Sequence, residues 1–137
     1  MAVIEALIQN EADGSISFGN YELGEKAKLD NFKHDGDLYK VKTFNEITKL
    51  EKNGSFVYES VPGTTVTSMV ETEDGMKFTV EGNADAQITV GLEDEAEYDV
   101  TVNGDDAGVI KTNLGGKLSL SVELSNTEKA DVVIKKK

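Results

Sequence analysis

At 137 residues and a formal net charge of −12, the chain can bury one sizeable core, and phosphate-rich partners would be repelled by it. It has no Cys, no Trp and no Arg. That excludes disulfides, thiolate metal sites, cysteine nucleophiles and the bidentate guanidinium grip on a carboxylate. Neither nucleic acid nor an anionic membrane is expected as a partner, because Lys135-Lys136-Lys137 is too short a basic run to reverse the field.

The opening stretch, Val3–Gln9, is apolar and broken by Glu5, which suits a first β-strand and neither a signal peptide nor a membrane span. Cytoplasmic residence is the resulting expectation, with export or surface association left open. Ser15–Leu23 follows as a second strand with Gly19 marking a bulge. A loop rich in Lys and Asp is expected next, through His34-Asp35-Gly36-Asp37.

Leu38–Thr43 alternates apolar and polar residues, the pattern of a half-buried strand. Ile47–Lys52 and Ser55–Ser60 flank Asn53-Gly54, a dipeptide whose tolerance of positive φ at both positions predicts a two-residue hairpin. Phe44, Ile47 and Leu50 are also spaced three apart, so a short helical turn competes there.

Val61-Pro62-Gly63 contains the single proline and reads as a seam between two halves. Beyond it the rhythm is regular: Thr64–Thr72, Met76–Glu81, Ala86–Val90, Glu97–Val102, Ala107–Thr112, Lys117–Leu124 and Asp131–Lys136. Gly, Asn and Asp punctuate these runs about every ten residues, as in a β-sandwich or barrel. In Lys117–Leu124 the alternation is almost complete, with four apolar residues on one face and Lys, Ser and Glu on the other.

Leu92-Glu93-Asp94-Glu95-Ala96-Glu97-Tyr98-Asp99-Val100-Thr101-Val102 resembles the tyrosine corner of fibronectin type III and immunoglobulin-like domains. There a Leu precedes by six residues a Tyr that opens a strand of alternating Val. The resemblance implies that the Tyr98 ring packs in the core and its hydroxyl bonds backbone a few residues upstream. Asp94 stands where the family often has Pro, and the family's core Trp is missing. The expected architecture is all-β: an immunoglobulin/fibronectin-like β-sandwich over residues 63–137 with an additional β-rich subdomain over residues 1–62.

Ala86–Leu124 also resembles accessory β-modules that accompany bacterial carbohydrate-active enzymes. The whole chain is similar to small Firmicute all-β proteins sometimes labelled endosialidase. That likeness implies a sialidase, and the residues do not supply one. A sialidase grips its substrate's carboxylate with an Arg cluster and attacks with a Tyr. Arg is absent here, and Tyr21, Tyr39, Tyr58 and Tyr98 all occupy strand or corner positions.

Two further features bear on chemistry. Glu93, Asp94, Glu95 and Glu97 form the densest acidic cluster, read first as a solvated loop and second as a weak Ca²⁺ site, with Asn103–Asp106 a weaker candidate. His34 is the sole histidine and has no second His or Cys to build a transition-metal site. No catalytic residue, metal ligand or cofactor is assigned, and the chain is expected not to be an enzyme.

The candidate interaction residues are Val3, Ile4 and Leu7, on a strand that could exchange between chains, and Phe56 and Tyr58, placed on one face of their strand. Leu92 and Tyr98 are assigned a structural role. The expected function is a non-catalytic structural or interaction module that pairs with itself or another protein through edge strands. The alternative is a carbohydrate- or cell-surface-binding module, for which Phe56 and Tyr58 would supply the stacking platform.

Overall fold

A computed structural model describes residues 3–124 and 129–137. All the regular structure among them is β. The strands are β1 (Ile8–Asn10), β2 (Ile16–Phe18), β3 (Ala27–His34), β4 (Asp37–Phe44), β5 (Ile47–Lys52), β6 (Ser55–Val61) and β7 (Thr65–Thr72). They continue with β8 (Gly75–Glu81), β9 (Ala86–Gly91), β10 (Glu97–Val102), β11 (Asp105–Lys111), β12 (Lys117–Val122) and β13 (Ala130–Lys136). Two antiparallel sheets pack face to face as a sandwich, with orders β1-β2-β7-β8-β13-β10-β11 and β12-β9-β6-β5-β4-β3.

All seven strands expected after Pro62 are present. The turn expected over Ser125–Lys129 lies almost wholly outside the described residues. Asn53 (φ 50°) and Gly54 (φ 84°) turn β5 into β6 as the mirror-image turn requires, and Asp35-Gly36 and Asn103-Gly104 do the same for their hairpins. No helical turn forms at Thr43–Leu50, because Phe44 pairs with Ile47 across the β4–β5 turn.

Three expectations for the first sixty residues are corrected. Val3–Gln9 is not one strand: Leu7 adopts φ 74° and its N–H returns to the Ile4 carbonyl (2.9 Å), so pairing begins only at Ile8. The strand expected over Ser15–Leu23 is short, ending at Phe18 before Gly19 at φ 98°. The Lys- and Asp-rich segment is not a loop but contains β3, paired along β4 with a bulge between Leu29 and Phe32 where Asn31 takes φ 58°.

The segments before and after Pro62 share both sheets, through the pairs β2–β7 and β6–β9. Their inward rows meet in one core that includes Phe18, Val41, Leu50, Tyr58, Val66, Phe78, Ile88, Val100, Leu118 and Val132. Phe18, Tyr58 and Phe78 alternate between the sheets as two edge-to-face contacts, with centroids 5.3 and 5.6 Å apart. This is the arrangement that the ring quadrupoles favour.

Beside this apolar core runs a buried hydroxyl chain. The Asn20 N–H donates to Thr43 Oγ1 (2.9 Å), and Thr43 and Thr48 Oγ1 are 2.8 Å apart. Thr48 donates to the Thr64 carbonyl (2.7 Å) and accepts the Thr64 N–H (3.1 Å). Since the single Thr48 proton goes to that carbonyl, Thr43 must be the donor between the two threonines. Thr64 Oγ1 in turn meets the Tyr58 and Ser60 hydroxyls, each at 2.7 Å.

Candidate functional site

Between the sheets, the β5–β6 and β7–β8 turns and Leu92-Glu93 surround a cleft of about 540 Å³, lined by Lys52, Val57, Glu71, Met76, Glu93 and Tyr98 among others. Lys52 Nζ and Glu71 Oε2 meet at 2.9 Å across it, joining β5 to β7. Both side chains are about a third exposed, so the pair contributes roughly 0.2–1 kcal/mol. The same two residues border a second hollow of about 380 Å³ that holds His34, Asp35, Asp37 and Tyr39.

In that hollow His34 Nδ1–H donates to the Asn10 amide oxygen, and its ring stands edge-on to Tyr39 with centroids 5.7 Å apart. Burial, then the nearby charges of Glu71, Asp37 and Asp35, hold the Tyr39 phenol above its ordinary value, so it stays protonated. Among the described residues no three His, Asp or Glu side chains converge as metal ligands.

The acidic cluster is tied into the corner. The Glu93 N–H donates to Tyr98 Oη (3.2 Å), five residues upstream of that buried ring, and Leu92 packs against the core. Glu93 Oε2 accepts Lys136 Nζ (2.6 Å), and the Glu93 carbonyl accepts the Thr112 hydroxyl (2.6 Å). The Lys136 ammonium is held above its ordinary value by that hydrogen bond to Glu93.

The paired placement of Phe56 and Tyr58 on one face is overturned. A bulge sets Tyr58 opposite Leu50 and Phe56 opposite Glu51, leaving Val57 as the extra residue. Val57 and Tyr58 therefore both enter the core, and Phe56 turns to the outer face. There it packs over Gly91 with Lys117 Nζ 4.7 Å above its ring. Tyr58 is thus fully buried, while Phe56 is half-buried. The N-terminal segment is not laid out on the surface: Ile4 is buried, and Val3 and Leu7 are half-buried.

Four strands form the sheet edges, and three of them are protected. β1 is three residues long, and Asn10 Nδ2 reaches from it to the Lys33 carbonyl of β3 (3.3 Å). β3 carries the Asn31 bulge together with Lys28, Asp30, Lys33 and His34. β11 carries a bulge opposite Val100/Thr101, with Gly108 at φ 96° and Asp105, Asp106 and Lys111 along it. Shortness, bulges and charge are the devices that keep edges from pairing.

β12 has no bulge, runs for six residues and carries one charge, Lys117, at its first position. It pairs with β9 without a register break from Lys117↔Gly91 to Val122↔Ala86, and it alternates exposed and buried residues throughout. The Lys117 N–H and carbonyl turn away from β9 to the Asn113 side-chain oxygen (3.0 Å) and N–H (3.2 Å). By the two-residue repeat of an antiparallel ladder, the main-chain groups of Ser119 and Ser121 also point off the edge. The side chains of this outer row are small and already engaged within the sheet, Ser119 with Thr89 (3.0 Å) and Ser121 with Gln87 (2.7 Å).

The alternation of Lys117–Leu124 is legible in sequence, but its place at an edge is a property of strand order, which no local pattern encodes. Compared with protein-family models, curated proteins and solved structures, the chain has no significant match.

Proposed function

We propose that this protein is a non-catalytic interaction module that receives an added β-strand along β12. The observation that supports this reading is the contrast among the four edges: among the described residues, β12 alone combines six continuously paired residues, no bulge and a single charged side chain. In strand addition the main-chain groups supply affinity, and the alternating side-chain row supplies selectivity. The Ser119 and Ser121 main-chain groups lie where such a partner would bind.

The test uses proline. At Ser119 or Ser121 it removes an outward N–H and leaves the β9 ladder intact, so the fold should survive while the edge is blocked. Octapeptides selected from a random display library on the wild-type protein are expected to be extended and alternating. They should lose binding to the Ser119→Pro chain. Selected peptides that bind the Ser119→Pro chain equally well, or a library that yields no binder, would overturn the proposal.

A further inference from the structure

Resting on that reading of the edge, we infer that the strand received by β12 is β12 of a second copy, paired antiparallel about Leu120. Lys117-Leu118-Ser119-Leu120-Ser121-Val122-Glu123 is close to self-complementary when reversed upon itself. An antiparallel register centred on Leu120 sets Leu118 opposite Val122, Ser119 opposite Ser121 and Leu120 opposite its own counterpart. It sets Lys117 opposite Glu123 at both ends. Directly opposed residues lie on the same face in an antiparallel pair, and here every pair matches in kind: apolar on the core side, hydroxyl or opposite charge on the outer side.

The main-chain directions are compatible with this register and exclude those shifted by an odd number of residues. Ser119 and Ser121 are the residues whose N–H and carbonyl groups point off the edge, and the two-fold pairs each of them with the other. Two such pairs exchange four backbone hydrogen bonds. A register one residue away would oppose outward-pointing groups with inward-pointing ones and would place leucine opposite serine. At the Lys117 end, Asn113 already occupies the outward main-chain groups, which stops the pairing at one strand's length.

The product is one continuous twelve-stranded sheet, two copies of β12-β9-β6-β5-β4-β3 joined at β12, with the other sheet of each copy left as it is. A single short strand pair buries less than a standard interface, so the expected dissociation constant lies in the micromolar to millimolar range.

Sedimentation velocity on the full chain, from about 10 μM to about 1 mM, should show a reversible monomer–dimer equilibrium that the Ser119→Pro chain lacks. Charge exchange at Lys117 and Glu123 then reads the register, with far-UV circular dichroism checking that each variant keeps the β fold. Lys117→Glu and Glu123→Lys chains should each dimerise about tenfold more weakly, because each homodimer opposes like charges twice. An equimolar mixture of the two should recover wild-type affinity, since both cross-strand pairs are then of opposite sign.

A mixture that does not recover overturns the register. A chain that stays monomeric throughout, while library peptides still bind it in a Ser119→Pro-sensitive way, overturns the second copy as occupant and leaves the edge reading standing. Loss of both overturns the two together.

Discussion

Thr48→Val is the sharpest test of the buried hydroxyl chain, because it keeps the side chain's shape and removes its polarity. Thr48 Oγ1 serves three partners at once: the Thr64 carbonyl, the Thr64 N–H and Thr43 Oγ1. Thr43, Thr48 and Thr64 are all fully buried, so no water replaces the lost bonds. A buried group left without its partner costs about 1–3 kcal/mol. With the Thr64 N–H as the principal orphan, the substitution should cost roughly 3–5 kcal/mol.

That is a large part of the 5–15 kcal/mol typical of a domain. It corresponds to a loss of about 2 M in the urea midpoint and of about 10–20 °C in Tm. Thr48→Ser is the control. It keeps every hydrogen bond and sheds one methyl group, for about 1 kcal/mol. Urea unfolding of the wild type and both variants, followed by far-UV circular dichroism, gives the comparison. If Thr48→Val falls within about 1 kcal/mol of Thr48→Ser, the hydroxyl chain is not what holds β4, β5 and the β6–β7 link together.

Two more outcomes follow from geometry and burial. Gly63→Ala should destabilise by about 1–3 kcal/mol, since its Cβ would lie 2.0 Å from the Phe44 carbonyl oxygen, whereas at Gly24 an added Cβ meets nothing within 4 Å and the same change should be neutral. Thermal unfolding of the two variants separates them, and equal effects would refute the close approach. Burial raises the phenols of Tyr21, Tyr39 and Tyr58 above the ordinary 10.0. The stability tied to their neutral forms is thus complete below that pH and lost as pH rises beyond it, where the unfolded chain gives up protons that the folded one keeps. Tyrosinate absorbance should therefore rise together with loss of β-structure, and ionisation of every tyrosine in a still-folded protein would contradict this.

Where turn residues and alternation agree, the strands could be read from sequence. β5 and β6 around Asn53-Gly54, and the seven strands after Pro62, owe their legibility to Gly, Asn and Asp at each reversal. Where a bulge breaks the two-residue period, the local pattern misleads. Asn31 interrupts β3, whose residues are mostly solvent-facing and so carry no alternation, and the segment looks like a loop. Val57 is the extra residue that separates Phe56 from Tyr58, which two-residue spacing would place together. Leu7 enters the left-handed region although nothing in its side chain favours it, and the expected first strand is cut to three residues. The open edge was hidden for another reason: it depends on which strands lie beside β12 in space.

The strand order also bears on how the protein is made. β13 lies in the middle of its sheet, between β8 and β10, yet it is translated after the other twelve strands. The six-stranded sheet can form without it. The seven-stranded sheet cannot, and until β13 leaves the ribosome it exists as two pieces, β1-β2-β7-β8 and β10-β11. The unpaired flanks of β8 and β10 are then the vulnerable surfaces of the nascent chain, long-range partners waiting some fifty and thirty residues respectively for the strand that joins them.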